Sequence, residues 1–273
     1  MTPARAAQAR PLVVSIQSQV AVGHVGNSAA AGPMRAAGVD VVEVPTTLLS
    51  NHPHYSTMRG RVLEADFVAD LLRGIEERDV PRRATAILSG FMGRAETAEA
   101  VAAFVTRAKA AKPDLVYACD PVMGDADIGF FAPEPLQRAF AARLVPLADV
   151  IFPNAFELAA LCGGQINGPE DVTRARAALG VEAVVATSVP IAGRPDRIGT
   201  VVATGTGTET RDHPRLPVRP AGTGDLFAGL TVAGLALGAA LPEAVATASA
   251  RVQAVLEATP EDPWAEMPIG ILL

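Results

Sequence analysis

Apolar runs of strand length recur at residues 12–16, 39–44, 84–88, 115–119, 150–152, 183–187 and 199–203, and segments of helical period lie between them at 61–77, 96–111, 133–145, 154–161 and 170–179. Strand and helix alternating this many times leave few folds open. The pattern predicts α/β architecture, with a central, mostly parallel sheet flanked by helices on both faces. The strands are unbroken apolar runs, as strands covered on both sides must be. No Ser/Gly linker divides the 273 residues, and the Pro-rich stretch 214–220 is too short to separate domains. One domain over residues 11–273 is expected, preceded by a disordered tail at 1–10.

Composition narrows the chemistry. Nine Phe, two Tyr and one Trp are few for this length, so Ala, Val, Leu and Ile must supply the packing. Against 29 acidic side chains stand 23 basic ones, a net charge of −6 that argues against nucleic acid or an anionic membrane as partner. The uncharged apolar stretch 226–242 falls short of the ~20 residues that span a bilayer and reads as a buried helix. Arg5 and Arg10 precede only a short apolar run, so no secretory signal is expected. Cys119 and Cys162 are expected to be reduced thiols in a cytoplasmic protein.

In open α/β sheets ligands bind beyond the carboxyl ends of the strands, and several of these tips are rich in polar residues or glycine. The strongest is Gly222-Thr223-Gly224-Asp225 before the uncharged run. Its glycines permit a tight turn that opens amides toward an anion at a helix start, and Asp225 beside them could take a proton from an attacking alcohol. Taken alone, the motif is equally a Gly-rich turn whose Asp complements the helix dipole. Asp120-Pro121-Val122-Met123-Gly124-Asp125 follows another apolar run and suits magnesium, which takes one or two carboxylates together with substrate phosphates; a solvated turn is the alternative. In Pro153-Asn154-Ala155-Phe156-Glu157, Asn154 and Glu157 have capping-box spacing, sufficient in itself, though both could also belong to a nucleotide and metal environment. No Walker loop and no dinucleotide-binding glycine motif is present. Residues 23–32 read as a substrate loop. His24, His52 and His54 lack zinc-site spacing, and His213 reads as a surface loop residue.

Together with Ser15-Ile16-Gln17-Ser18, Gly26-Asn27-Ser28-Ala29-Ala30 and Ser50-Asn51-His52, these motifs resemble the pyridoxal kinase family of the ribokinase-like superfamily over residues 12 to 256. The resemblance implies a ribokinase-like domain, usually a homodimer, that uses ATP to phosphorylate the 5'-hydroxymethyl group of pyridoxal, pyridoxine or pyridoxamine. Asp225 matches the catalytic base and Gly222, Thr223 and Gly224 its anion hole. Ser18 matches the position that bonds the pyridine ring, and Val25, Thr47, Tyr55 and Phe91 fall at pocket positions. Asp120, Asp125, Asn154, Glu157, Thr187 and Ser188 match positions around ATP, Mg2+ and a monovalent cation, K+ or Na+, with Asp120, Asp125 and Glu157 nearest the metal.

Three departures bear on substrate choice. Gln19 stands where the family often has His, Leu48 and Leu49 replace Gln and Phe, and Phe91 replaces a common Tyr. Hydroxymethylpyrimidine kinase shares two of the motifs but opens with a Gly-Gly-Ala-Gly-Ile-Gln type loop that this chain lacks. A non-catalytic vitamer-binding protein would have lost the base, which Asp225 retains.

Overall fold

The computed structural model describes residues 10–262 and 265–273. Most of the expected tail therefore lies outside the described residues; Arg10, its last member, is paired with Asp40 at 3.8 Å.

In chain order the elements are β1 (Leu12–Val20), α1 (Asn27–Ala36), β2 (Asp40–Leu49), β3 (Gly60–Val62), α2 (Ala65–Glu76), α3 (Val80–Arg83), β4 (Ala86–Ser89), α4 (Ala95–Ala111), β5 (Val116–Cys119), β6 (Gly124–Asp125), β7 (Gly129–Phe130), α5 (Glu134–Ala139), β8 (Val150–Ile151), α6 (Ala155–Cys162), α7 (Pro169–Leu179), β9 (Ala183–Pro190), β10 (Arg197–Thr204), β11 (Thr208–Pro214), α8 (Thr223–Ala236) and α9 (Leu241–Glu257). The main sheet has the order β11-β10-β9-β8-β5-β4-β1-β2-β3. Its centre, β9 to β2, is parallel; β3, β10 and β11 are antiparallel additions at the two edges. Strands β6 and β7 form a separate small hairpin.

The unbroken apolar runs are explained by two cores. Val14, Ile87, Tyr117, Cys119, Ile151 and Val184 point into one, with α2, α4, α5, α6 and α7. Their neighbours Val13, Leu88, Ala118, Val150 and Val185 point into the other, with α1, α8 and α9. Helix α8 is buried from Leu226 through Ala233, which is why its sequence is apolar all round. Cys119 and Cys162 are both free thiols, and burial pushes the Cys119 thiol up to about 12. No helix among the described residues is long and apolar enough to cross a membrane.

Several boundaries differ from the sequence-based expectation. Residues 27–32, read as loop, open α1: Ala29, Ala30 and Ala31 favour a helix and are small enough to pack against α8. The stretch expected as one helix at 61–77 begins as edge strand β3, with Leu48 paired to Arg61. The helical segment 133–145 is α5 followed by a π turn and a 3-10 turn that reaches Leu147, with Pro146 inside the latter. The uncharged run 226–242 is not one helix, because α8 stops at Ala236 and Gly238 turns the chain before Pro242 enters the first turn of α9. His213 lies not in a loop but opposite Ile198 on the polar edge strand β11, whose residues carry no apolar pattern.

Candidate active site

At the start of α8, Gly222 is the N-cap in the left-handed region, with φ +82°. A Cβ at this position would stand 1.8 Å from the His24 carbonyl oxygen and 3.1 Å from the Val25 Cα, so only glycine lets the 23–26 loop lie on the helix start. The Leu226 amide makes the first helical bond, to the Gly222 carbonyl at 2.9 Å. The amides of Thr223 and Gly224 precede it without an intrahelical acceptor, at the positive end of the helix. Asp225 sits in this first turn and accepts a hydrogen bond from the Gly26 amide. Burial lifts its carboxyl to about 6 against the opposing pull of that bond.

Across from this turn, Asp120 leaves the end of β5. It is 5% exposed, and its Oδ2 lies 4.0 Å from the Cβ position of Gly224. Burial, and then the Glu157 and Asp225 carboxylates, hold Asp120 well above the usual carboxylate range. Glu157 is buried by the turn that carries the Asp120 motif. Its Oε1 accepts from the Met123 amide at 2.8 Å and the Gly124 amide at 3.3 Å, and its Oε2 from the Asn154 amide at 3.0 Å. Burial raises this carboxyl to about 7, while the three amides draw it down.

Asn154 completes the capping box by accepting from the Glu157 amide at 2.8 Å, and its side-chain amide donates to the Gly124 carbonyl at 2.8 Å. The capping reading of Asn154 and Glu157 is thus realised, and further bonds of the same two side chains hold the 120–125 turn in place. Thr187 forms a parallel bridge with Asn154, and Ser188 follows exposed, with φ +56°. Asp125 pairs with Arg219 at 2.9 Å, and Arg219 also pairs with Asp127.

Among the described residues no group of three or more His, Cys, Asp or Glu is gathered closely enough to hold a metal on its own. Asp120, Glu157 and Asp225 nevertheless raise the charge cost of one space that also faces the positive end of α8. Such a space suits a cation that shares its ligands with phosphate oxygens.

The residues expected to hold the substrate ring are hydroxylic or aromatic. Ser18 and Thr47 are buried, and the Thr47 hydroxyl has no hydrogen-bond partner among the described residues. Both lie within β1 and β2, not beyond them, because these strands extend past the apolar runs to Val20 and Leu49. Thr46 donates to the Phe91 carbonyl at 2.6 Å, and the Phe91 ring meets Phe131 edge-on at 6.2 Å. The Tyr55 hydroxyl donates to Glu266 at 2.8 Å. Gly26 links Ser18 to Asp225: it approaches Ser18 so closely that a Cβ would lie 2.2 Å from the Ser18 carbonyl oxygen, and its amide donates to Asp225.

The structure thus brings Ser18, Val25, Asp120, Glu157 and Gly222 to Asp225 around one space. Thr187 is bridged to Asn154, with Ser188 next to it. Arg219 and Glu266 were missed, since each is a lone charge on a segment without periodicity or motif.

The family model for phosphomethylpyrimidine kinase matches residues 34–265. A pyridoxal kinase of Rubrobacter xylanophilus is 41% identical over 252 residues, 90% of this chain and 87% of the relative. A pyridoxine/pyridoxal/pyridoxamine kinase of Bordetella avium is 38% identical over 250 residues, 89% of this chain and 84% of the relative. Among solved structures, the pyridoxal kinase of Leishmania donovani in complex with ADP and pyridoxamine superposes with a TM-score of 0.85 at 29% identity, covering 90% of this chain and 89% of that one.

Proposed function

The chain belongs to the pyridoxal kinase family, within the ribokinase-like superfamily, and on that premise we propose that it transfers the terminal phosphoryl group of ATP to the 5'-hydroxymethyl group of pyridoxal. The observation that carries the reading is the position of Asp225, a raised carboxylate in the first turn of a helix whose Gly224 lies close to Asp120.

In this reading Ser18, Val25, Thr47, Tyr55 and Phe91 hold the pyridine ring and its substituents. Asp225 accepts the proton of the 5'-hydroxyl as oxygen attacks phosphorus, and a carboxyl near 6 is mostly ionised, yet basic enough, at neutral pH. The amides of Gly222, Thr223 and Gly224 receive the charge that gathers on the phosphoryl oxygens. Asn154, Thr187 and Ser188 border the nucleotide. Asp120, Asp125 and Glu157 would hold Mg2+, which neutralises phosphate charge when bound; a monovalent cation, K+ or Na+, belongs to the same region. Glu157 does so while it fixes the turn through the Met123 and Gly124 amides. Phosphoryl transfer of this kind depends on positioning and electrostatics, which these residues supply.

The homodimer and the cytoplasmic location rest on the family resemblance and on the two unpaired cysteines. Incubation with ATP, Mg2+ and pyridoxal should yield pyridoxal 5'-phosphate and ADP in equal amounts. Product from hydroxymethylpyrimidine but not from pyridoxal would replace the substrate, and binding of pyridoxal without any ADP would replace catalysis with vitamer binding.

A further inference from the structure

The segment after α9 is almost wholly apolar from Met267 to Leu273 and docks through buried Met267 and Ile269. Glu266 stands immediately before it. Its Oε1 accepts from Tyr55 Oη at 2.8 Å and from His52 Nε2 at 2.9 Å. His52 is 3% exposed, and the His54 amide donates to its Nδ1 at 3.3 Å, so the ring proton sits on Nε2 and points at Glu266. The His52 and Tyr55 rings lie 4.8 Å apart. The second carboxylate oxygen, Oε2, is buried without a hydrogen-bond partner among the described residues, and 2.8 Å separates it from the Cβ position of Gly23.

The next residue, Met267, receives the Thr223 hydroxyl at 3.7 Å. Two consecutive residues therefore touch the two ends of the site, the wall that carries Tyr55 and the turn that carries the anion hole. An anchor alone would be served by another apolar side chain, because a carboxylate with one unpartnered buried oxygen costs free energy. What the carboxylate adds is a single acceptor that holds two side chains from the connection between β2 and β3.

We propose that Glu266 is a positioning residue of the substrate pocket, fixing Tyr55 and His52 in the wall that holds the pyridine ring. This rests on the pyridoxal kinase reading. Glu266 acts on the ring-binding wall and not on the phosphoryl group, so its loss should appear in vitamer binding and leave nucleotide binding alone.

The test is steady-state kinetics of the full chain with E266A, E266Q, Y55F and the double variant E266A/Y55F, with melting curves for each. Glu266→Ala should raise the KM for pyridoxal about tenfold, with kcat and the KM for ATP within about twofold of the parent. Glu266→Gln keeps an acceptor oxygen and should raise it less than about threefold. The double variant should be no worse than Glu266→Ala alone, because the two residues act through one bond. An unchanged pyridoxal KM in Glu266→Ala, an equal rise in the KM for ATP, or additive effects of the two substitutions would overturn the proposal. If Glu266→Ala does not fold, Glu266→Gln and Tyr55→Phe decide it: equal KM values for pyridoxal in Tyr55→Phe and the parent reject the role. A parent protein that makes no pyridoxal 5'-phosphate rejects the kinase reading itself, an outcome separate from any of these.

Discussion

The Oδ2 atom of Asp120 stands 4.0 Å from the point where a side chain at Gly224 would begin, so the acid at the end of β5 and the opening turn of α8 face the same space. Two elements a hundred residues apart in sequence thereby set negative and positive ends opposite each other. Burial makes both carboxylates costly there, Asp225 at about 6 and Asp120 well above its ordinary value. A molecule that brings a cation and a phosphate together satisfies both ends at once.

Asp225→Asn tests the base directly. Turnover should fall by about 10²- to 10⁴-fold, the range for a positioned proton acceptor. The fold should persist and the protein should melt higher at pH 8. A carboxyl raised from 3.8 to about 6 costs the folded state nothing below pH 3.8, loses it stability as pH rises through that interval, and costs in full above about 6. The gain at pH 8 should be about 1–3 kcal/mol and should vanish near pH 4. Near-normal turnover in the variant would remove Asp225 from the role of base.

The same carboxyl sets the acid limb of the rate. The base works only when ionised, so kcat/KM for pyridoxal, which reports the enzyme before the vitamer binds, should be flat above about pH 7 and fall about tenfold per unit below about 6. The measurement is kcat/KM for pyridoxal from pH 5 to 8 at saturating ATP. A residual rate in Asp225→Asn that keeps the same acid limb would assign the limb to another group.

Much of this is legible in the sequence. Alternating runs identified the parallel centre of the sheet because Val13 and Val14, or Ala118 and Cys119, serve opposite cores and both must be apolar. The edge strands carried no such signal: β11 is polar, and β3 is three residues long. Gly222 to Asp225 and Asp120 were legible because turns and anion holes demand particular residue types. Asn154 and Glu157 carried two readings in one spacing, and the bonds to the 120–125 turn show how the cap and the acid coincide. Glu266 was not legible. Its meaning comes from long-range contact with Tyr55 and His52, which no local pattern encodes.

Phe91→Tyr restores a hydroxyl at a position where the ring is half-buried against Phe131. One added hydrogen bond to the substrate is worth about 0.5–1.5 kcal/mol, which should lower the KM for pyridoxal about 2- to 12-fold without changing that for ATP. An unchanged or higher KM for pyridoxal would show that the wall around Phe91 does not bring a hydroxyl within reach of the substrate.

Gly222→Ala should separate the turn from the rest of the site. The new methyl would collide with the His24 carbonyl at 1.8 Å and would also sit on a residue with φ +82°. Backbone has to move, either the helix start or the 23–26 loop, and both flank Asp225. Strain of this kind costs about 1–3 kcal/mol, which a melting curve resolves. Turnover should fall more than the melting loss accounts for, because the displaced Gly26 amide no longer steadies Asp225 and the opening turn of α8 shifts relative to Asp120. Full activity in a folded Gly222→Ala variant would mean that the close approach of His24 to the helix start is not needed for catalysis.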